Sequence, residues 1–248
     1  MTSLRIATYN VHRCRGMDGR VRPQRIASVL HEVAADVVAL QEVHSVGGRR
    51  KEDDQARYLA DELGMHLQLG TNRQWRGGTY GNVVLSRFPL GDSCNYDLTV
   101  TGREARGCLR VDVDVAPGML LQVFNVHLGT SYFERRRQGK RLIEEVIVRS
   151  DGRAGPLVVL GDFNEWTPGL ASRLLASRLN SIDVRMHLNR GWTYPGLLPF
   201  LHLDHIYFDE RLELASLTLL RSRTALVASD HLPLVGEFTL LPRAPSSR

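Results

Sequence analysis

Leu160-Gly161-Asp162-Phe163-Asn164 places a carboxylate and an amide two positions apart, directly after the apolar run Leu157 to Leu160. A run of that length reads as a short buried strand. Residues two apart share a face, so Asp162 and Asn164 can address one small object, a metal-bound water or a phosphate oxygen. The same tetrapeptide also suits a plain turn, because Asp and Asn make local turns. Four further segments carry the same layout. Leu4 to His12 alternates apolar and polar residues, with Asn10 near its end, and Ala35 to Glu42 is an apolar run that ends in Glu42. Asp204 heads the run Leu203 to Phe208, and Asp230-His231 stands just before Leu232 to Val235. Carboxylate and amide oxygens at several strand ends suit a hard divalent cation. Magnesium takes few carboxylates, keeps several waters and leaves room for a substrate phosphate.

Seven segments occur in a telling order: Thr8 to His12, Leu40 to Val43, Tyr80 to Pro89, Asn125 to Leu128, Gly161 to Asn164, Leu203-Asp204 and Ser229 to His231. In these the chain resembles the endonuclease/exonuclease/phosphatase superfamily, in the compact form of its bacterial-type members. That group contains pancreatic deoxyribonuclease, abasic-site endonucleases, sphingomyelinases and inositol-polyphosphate phosphatases. The likeness runs from residue 4 to about residue 239. It implies a magnesium-dependent hydrolase of phosphodiester bonds, with manganese as the other candidate ion, acting by water attack. A phosphodiester repels nucleophiles, so catalysis must neutralise charge and make hydroxide-like water.

On that likeness Glu42 is the direct metal ligand, Asn10 lies beside it as ligand or through water, and Asp230 completes the set. His231 is the expected general base, since a neutral imidazole with an ordinary pKa of about 6.5 can take a proton. Asp204 would hold its other nitrogen and fix the tautomer. Asp162 orients the attacking water and Asn164 donates to a phosphate oxygen. His127 hydrogen-bonds the phosphate from the other side or helps protonate the leaving group. Asn82 lines the same floor, and Arg106 matches the family arginine that reaches the scissile phosphate. His12, His44, His202 and His205 lie near motifs without occupying catalytic positions.

The substrate is less defined. A net charge of +5 and a pI near 9.4 favour polyanionic partners mildly. Arg13, Arg15, Arg49, Arg50, Lys51, Arg103, Arg106 and Arg110 fall near the motifs, and Arg73 and Arg76 flank Trp75. An arginine funnel with Trp75 and Tyr80 as stacking platforms favours nucleic acid. The alternative is a phosphoesterase acting on phospholipid head groups or inositol phosphates, with the apolar loop Tyr194 to Leu201 touching a membrane or an acyl chain. A binding module that merely kept the fold is disfavoured, because the metal and base positions are all filled. No stretch reaches membrane-spanning length and no signal-peptide core is present. Cys14, Cys94 and Cys108 form no disulfide or metal pattern, which favours free thiols in a reducing cytoplasm. A monomer is expected.

Positioning these groups requires many strands. Strand patterns cover residues 4–11, 37–41, 66–70, 81–86, 106–115, 119–126, 157–161, 204–208, 212–220 and 233–240. Helices are suggested at 22–34, 53–63, 132–149 and 168–177, with Pro23 and Pro168 suited to first turns and Asp53 and Asp54 giving the second helix an anionic start. The run Glu134 to Arg141 reads as a wet helical face. Strands mixed with helices suggest an α/β fold of two sheets packed face to face with helices outside. The resemblance implies a four-layer α/β/β/α sandwich over residues 1–241, followed by a flexible tail at 242–248.

Overall fold

The computed structural model of the chain describes residues 3–48, 50–147, 155–165, 169–181, 192–194 and 201–241. Strand β7 (Met119–His127) shows why the strands form layers. It turns Leu121, Val123 and Asn125 to one face and Phe124 and Val126 to the other, all buried. A strand apolar on both faces needs cover on both. Its neighbours repeat the pattern. β6 (Gly107–Ala116), β8 (Leu157–Asp162) and β10 (Asp204–Phe208) turn Leu109, Val111, Val158, Leu160, Ile206 and Phe208 into the larger core. They turn Cys108, Leu157, Val159 and Tyr207 to the second core, which the stretch Leu142–Ile147, continuing helix α3 (Tyr132–Arg141), and the short helix Leu170–Ala176 cover. With the two-residue β9 (Asn180–Ser181) and edge strand β5 (Leu90–Asp97), the order of this sheet is β5-β6-β7-β8-β10-β9.

The other sheet runs β11 (Leu212–Leu219), β12 (Leu234–Leu240), β1 (Ser3–Asn10), β2 (Val37–Ser45), β4 (Gly78–Ser86) and β3 (His66–Trp75). Helices α1 (Pro23–Val33) and α2 (Gln55–Leu63) add apolar faces to the larger core, with Ile26, Val29, Leu30, Ala56 and Leu59 buried. Two mixed sheets with helices outside are the expected sandwich. Pro23 stands in the first turn of α1, and the Asp54 side chain caps α2 by accepting from the Arg57 N–H.

Strand directions put the chemistry at one edge. β1 runs parallel to β2, and β7 parallel to β8, while β12 and β10 return antiparallel beside them. The ends of β1, β7 and β8 therefore meet the beginnings of β10 and β12. Asp162 is the register partner of both His127 and Asp204.

The structure departs from the sequence pattern in four places. β3 and β4 form a longer hairpin than expected, reaching Trp75 and Gly78. β5 is a strand the pattern did not mark: Leu90-Gly91-Asp92-Ser93-Cys94-Asn95-Tyr96-Asp97 is polar and largely exposed, as an edge strand can be. The helix expected over 132–149 is α-helical to Arg141 and then widens into a π-helical stretch, Leu142–Ile147. Its basic run is not wholly wet, since Arg135 is buried and donates to the Gly129 and Thr130 carbonyls. Residues 148–149, Pro168 and the tail at 242–248 lie outside the described residues.

Candidate active site

Two carboxylates and one amide form the floor. The Asn10 amide donates to Asp162 Oδ2 at 2.9 Å and to Glu42 Oε1 at 3.3 Å, and its own oxygen accepts from the His12 N–H at 3.0 Å. A bulge aims Glu42. β2 carries one extra residue against β4 between Leu40 and Val43, and Glu42 takes a left-handed φ of 58° there. Gln41 consequently points into the sandwich while Glu42 is left half-exposed at its edge. Burial pushes the Tyr80 phenol well up, and the nearby Glu42 charge adds to the rise. At Gly161 the backbone comes so close to β7 that a side-chain carbon would meet the Val126 carbonyl oxygen at 1.9 Å. Only glycine fits, and this close approach carries Asp162 to the edge.

Above the floor lies a line of proton-carrying groups. His231 Nδ1 donates to Asp204 Oδ2 at 2.9 Å, and His231 Nε2 lies 3.7 Å from Asp162 Oδ2. His127 Nε2 approaches the same Asp162 oxygen at 3.6 Å. All four side chains are buried. Burial pulls His231 toward neutrality, but Asp204, Asp162 and Asp230 outweigh it and push the imidazole up to about 10. Burial raises Asp162 to about 6, against the opposing pull of His231. His127 is held well below the usual histidine range by burial and by the Arg106 charge. The two imidazoles flanking Asp162 are therefore pushed in opposite directions.

The remaining expected residues fall as follows. Asp230 stands at the rim with His12 Nδ1 3.4 Å from its Oδ2. Arg106 is buried beside Glu104, Nη2 to Oε2 2.9 Å, while its Nε and Nη1 have no protein partner. Asn164 takes a left-handed φ of 52°, donates its side-chain amide to the Leu128 carbonyl at 2.9 Å and gives its backbone N–H to Asp162 Oδ1. Asn82 is placed differently from a phosphate donor. Both of its amide hydrogens go to carbonyls of the opposite sheet, Gly107 at 3.1 Å and Asn125 at 3.0 Å. Arg110 pairs with Asp112 in its own strand, out of the arginine funnel. The rings of His202 and His205 lie 4.5 Å apart, tilted by 54°, and His205 meets Phe163 edge-on beneath the Asp162 turn. Arg49 lies outside the described residues, and so do residues 195–200 of the loop on which the lipid alternative leaned.

Three residues were not singled out by sequence. Tyr194, held by paired backbone hydrogen bonds to Leu201, sets its ring 5.0 Å from that of His231. Burial raises its phenol, and the charges of Asp230, Asp162 and Glu42 add to the rise, so it faces the same acids. Gln41 and Asn125 join the two sheets beneath the site, Nε2 to Oδ1 2.8 Å. Both lie inside motifs of the family likeness, but as amides within apolar strands they gave no sign of bridging the sheets.

The donor set bears on the metal. Among the described residues, no three His, Cys, Asp or Glu side chains are grouped to hold an ion. Glu42 and Asp230 are half-exposed oxygen donors, and the Asn10 oxygen is already engaged by a backbone N–H. Such a set does not make a closed protein cage. It fits an ion that keeps most of its waters, as magnesium does.

Residues 7–231 match the Endonuclease/Exonuclease/phosphatase family over nearly the whole chain. The chain belongs to that family. Its members are phosphoesterase and nuclease hydrolases, generally dependent on divalent metals. Over 249 aligned residues it is 34% identical to YbhP, an uncharacterized protein of Escherichia coli K12, covering 96% of this chain and 97% of YbhP. A family structure from Beutenbergia cavernae superimposes with a TM-score of 0.73 at 26% identity, over 98% of this chain and 74% of that one. The catalytic domain of human nocturnin, at 21% identity and a TM-score of 0.72, shares the fold over 96% of this chain and 93% of its own. Within the family frame, Asn10, Glu42, His127, Asp162, Asp204, Asp230 and His231 all lie inside the matched span.

Proposed function

We propose that the chain is a divalent-metal-dependent hydrolase of phosphodiester bonds, of nuclease type. One observation carries the reading: Asp204, His231 and Asp162 stand in line at 2.9 and 3.7 Å, with the Asn10 amide tying Asp162 to Glu42. The 3.7 Å gap suits a water bonded to both His231 and Asp162. Asp162 orients that water, and its proton passes to the His231–Asp162 pair, which titrates as a unit. Asp204 holds His231 in place and balances its imidazolium charge. Arg106, with unpartnered N–H groups, and His127 receive the phosphate from the opposite side. Glu42, with Asn10 and Asp230 beside it, would hold the magnesium or manganese ion. When bound, the ion supplies charge neutralisation at the phosphate.

A monomer suffices, since every group named comes from one chain, and three free cysteines suit a reducing cytoplasm. Purified protein with magnesium should be offered supercoiled plasmid, single-stranded oligonucleotide, RNA, phospholipid vesicles and inositol phosphates, each with a chelator control. Chelator-sensitive cleavage of a nucleic acid is expected. Turnover restricted to phospholipid or inositol phosphate would replace the nuclease reading with the lipid one.

A further inference from the structure

Three arginines outside the catalytic line converge on one indole. The guanidinium carbons of Arg76, Arg13 and Arg73 lie 4.7, 5.4 and 5.8 Å from the centre of Trp75, and Arg73 also caps Tyr80 at 4.6 Å. Each such contact is attractive, but three like charges around one ring repel one another. Glu104 matches Arg73 at 2.7 Å. Among the described residues, no carboxylate pairs with Arg13 or Arg76. Both also adopt left-handed backbone, with φ of 57° and 46°. Backbone strain of this kind persists where the surroundings enforce it, and it clusters at ligand clamps.

The cluster adjoins the catalytic groups on two sides. Arg13 donates to His12 Nε2 at 2.7 Å, and the other ring nitrogen of His12 faces Asp230. Tyr80, edge-on to Trp75 at 6.0 Å, lies within the field of the Glu42 carboxylate. The indole is thus one side chain away from Glu42 and two away from Asp230. Aromatic faces alternating with guanidinium edges match a strand that offers sugars or bases and phosphates in turn. A compact polyphosphate would instead need converging cations without an aromatic wall.

We propose that Trp75, Arg13, Arg73 and Arg76 form a second-phosphate subsite, which receives the phosphate next to the scissile one in a single-stranded oligonucleotide. The proposal rests on the phosphodiesterase reading and gives it a preferred substrate: a strand with successive phosphates rather than an isolated diester.

The test compares a dinucleotide bearing a 5′-phosphate, a 3′-phosphate or neither. One phosphorylated form should be cleaved with a kcat/KM about 10-fold above the bare dinucleotide, the gain residing mainly in KM. In the double variant Arg13→Gln/Arg76→Gln that ratio should fall to near one, whereas Arg87→Gln, an exposed charge at the other end of β4, should retain it. A second arm needs no turnover. With chelator present, a labelled single-stranded oligonucleotide is titrated at increasing salt, and the double variant should lower the slope of log affinity against log salt by about 0.7, the loss of one phosphate contact. Thermal melts confirm that the variants fold. An unchanged slope, a preference surviving in the double variant, or no preference in the parent protein overturns the subsite. Failure of the hydrolase reading looks different: no dinucleotide is cleaved with any divalent metal, while the salt slope still decides whether these arginines hold phosphate.

Discussion

His231 Nδ1 and Asp204 Oδ2 lie 2.9 Å apart, although the first leads into β12 of one sheet and the second opens β10 of the other. Asp204 is fully buried, and His231 is the charged partner beside it. Removing the imidazole leaves an uncompensated buried carboxylate, which typically costs about 3–5 kcal/mol. His231→Ala should therefore lose stability as well as at least ~100-fold in hydrolysis. His231→Ala/Asp204→Asn should regain much of the stability and none of the rate. Denaturant unfolding and diester hydrolysis measure the two effects; a double variant no more stable than His231→Ala would remove the ion-pair account.

Glu42 is the one carboxylate that a strand bulge turns out to the site's edge. Glu42→Gln keeps its size and its bond from Asn10 while removing the charge. The metal concentration for half-maximal activity should rise at least ~10-fold. Manganese should raise the melting temperature of the parent protein and do so far less in the variant, because only a bound ion stabilises the fold. Equal melting shifts in both proteins would move the ligand away from Glu42.

The raised His231 pKa makes the metal-free protein sensitive to alkali. Its folded value, about 10, lies above the ordinary 6.5, so the folded state keeps a proton that the unfolded chain releases. That stability is fully present below about pH 6.5 and disappears as pH rises through about 10. Asp162, raised to about 6, titrates below this window. With chelator present, the urea midpoint should fall between pH 7 and pH 10, and Asp204→Asn should flatten the fall. A flat profile in the parent protein would mean that His231 folds neutral.

Phe163 is fully buried between the two residues of the Gly-Asp-Phe-Asn turn, with its ring edge-on to His205 and Tyr207. Phe163→Ala should cost about 3–5 kcal/mol. Activity should drop further than the fraction unfolded explains, because Asp162 and Asn164 flank the lost anchor. Activity measured well below the melting temperature separates the two contributions.

Much of this site was legible because its residues end short apolar strands. Glu42, Asp162, Asp204 and His231 each sit where an apolar run meets polar sequence, and strand directions carry all four to one edge. β5 was not legible, since nearly every residue in it is exposed and it therefore carries no alternation to detect. The tip of the β3–β4 hairpin was hidden by Arg76-Gly77-Gly78, which reads as a loop until Trp75 is seen paired with Gly78. Asn82 misled for another reason. Its place in a family motif signals importance but not whether the amide serves a ligand or the opposite sheet. Tyr194 was read within an apolar loop, and nothing local announced that its ring would lie against His231.

The amides between the sheets have a mechanical consequence. Asn125 donates to the carbonyls of Leu40 and Val83, 2.8 Å each, while Gln41 and Asn82 reach back across the same gap. Greasy layers alone would tolerate a small slip, but here any slip strands dry polar groups at about 1–3 kcal/mol apiece. The halves of the sandwich are keyed like a lock, and the separation of Glu42 from His127 is set by tumblers buried below the cleft.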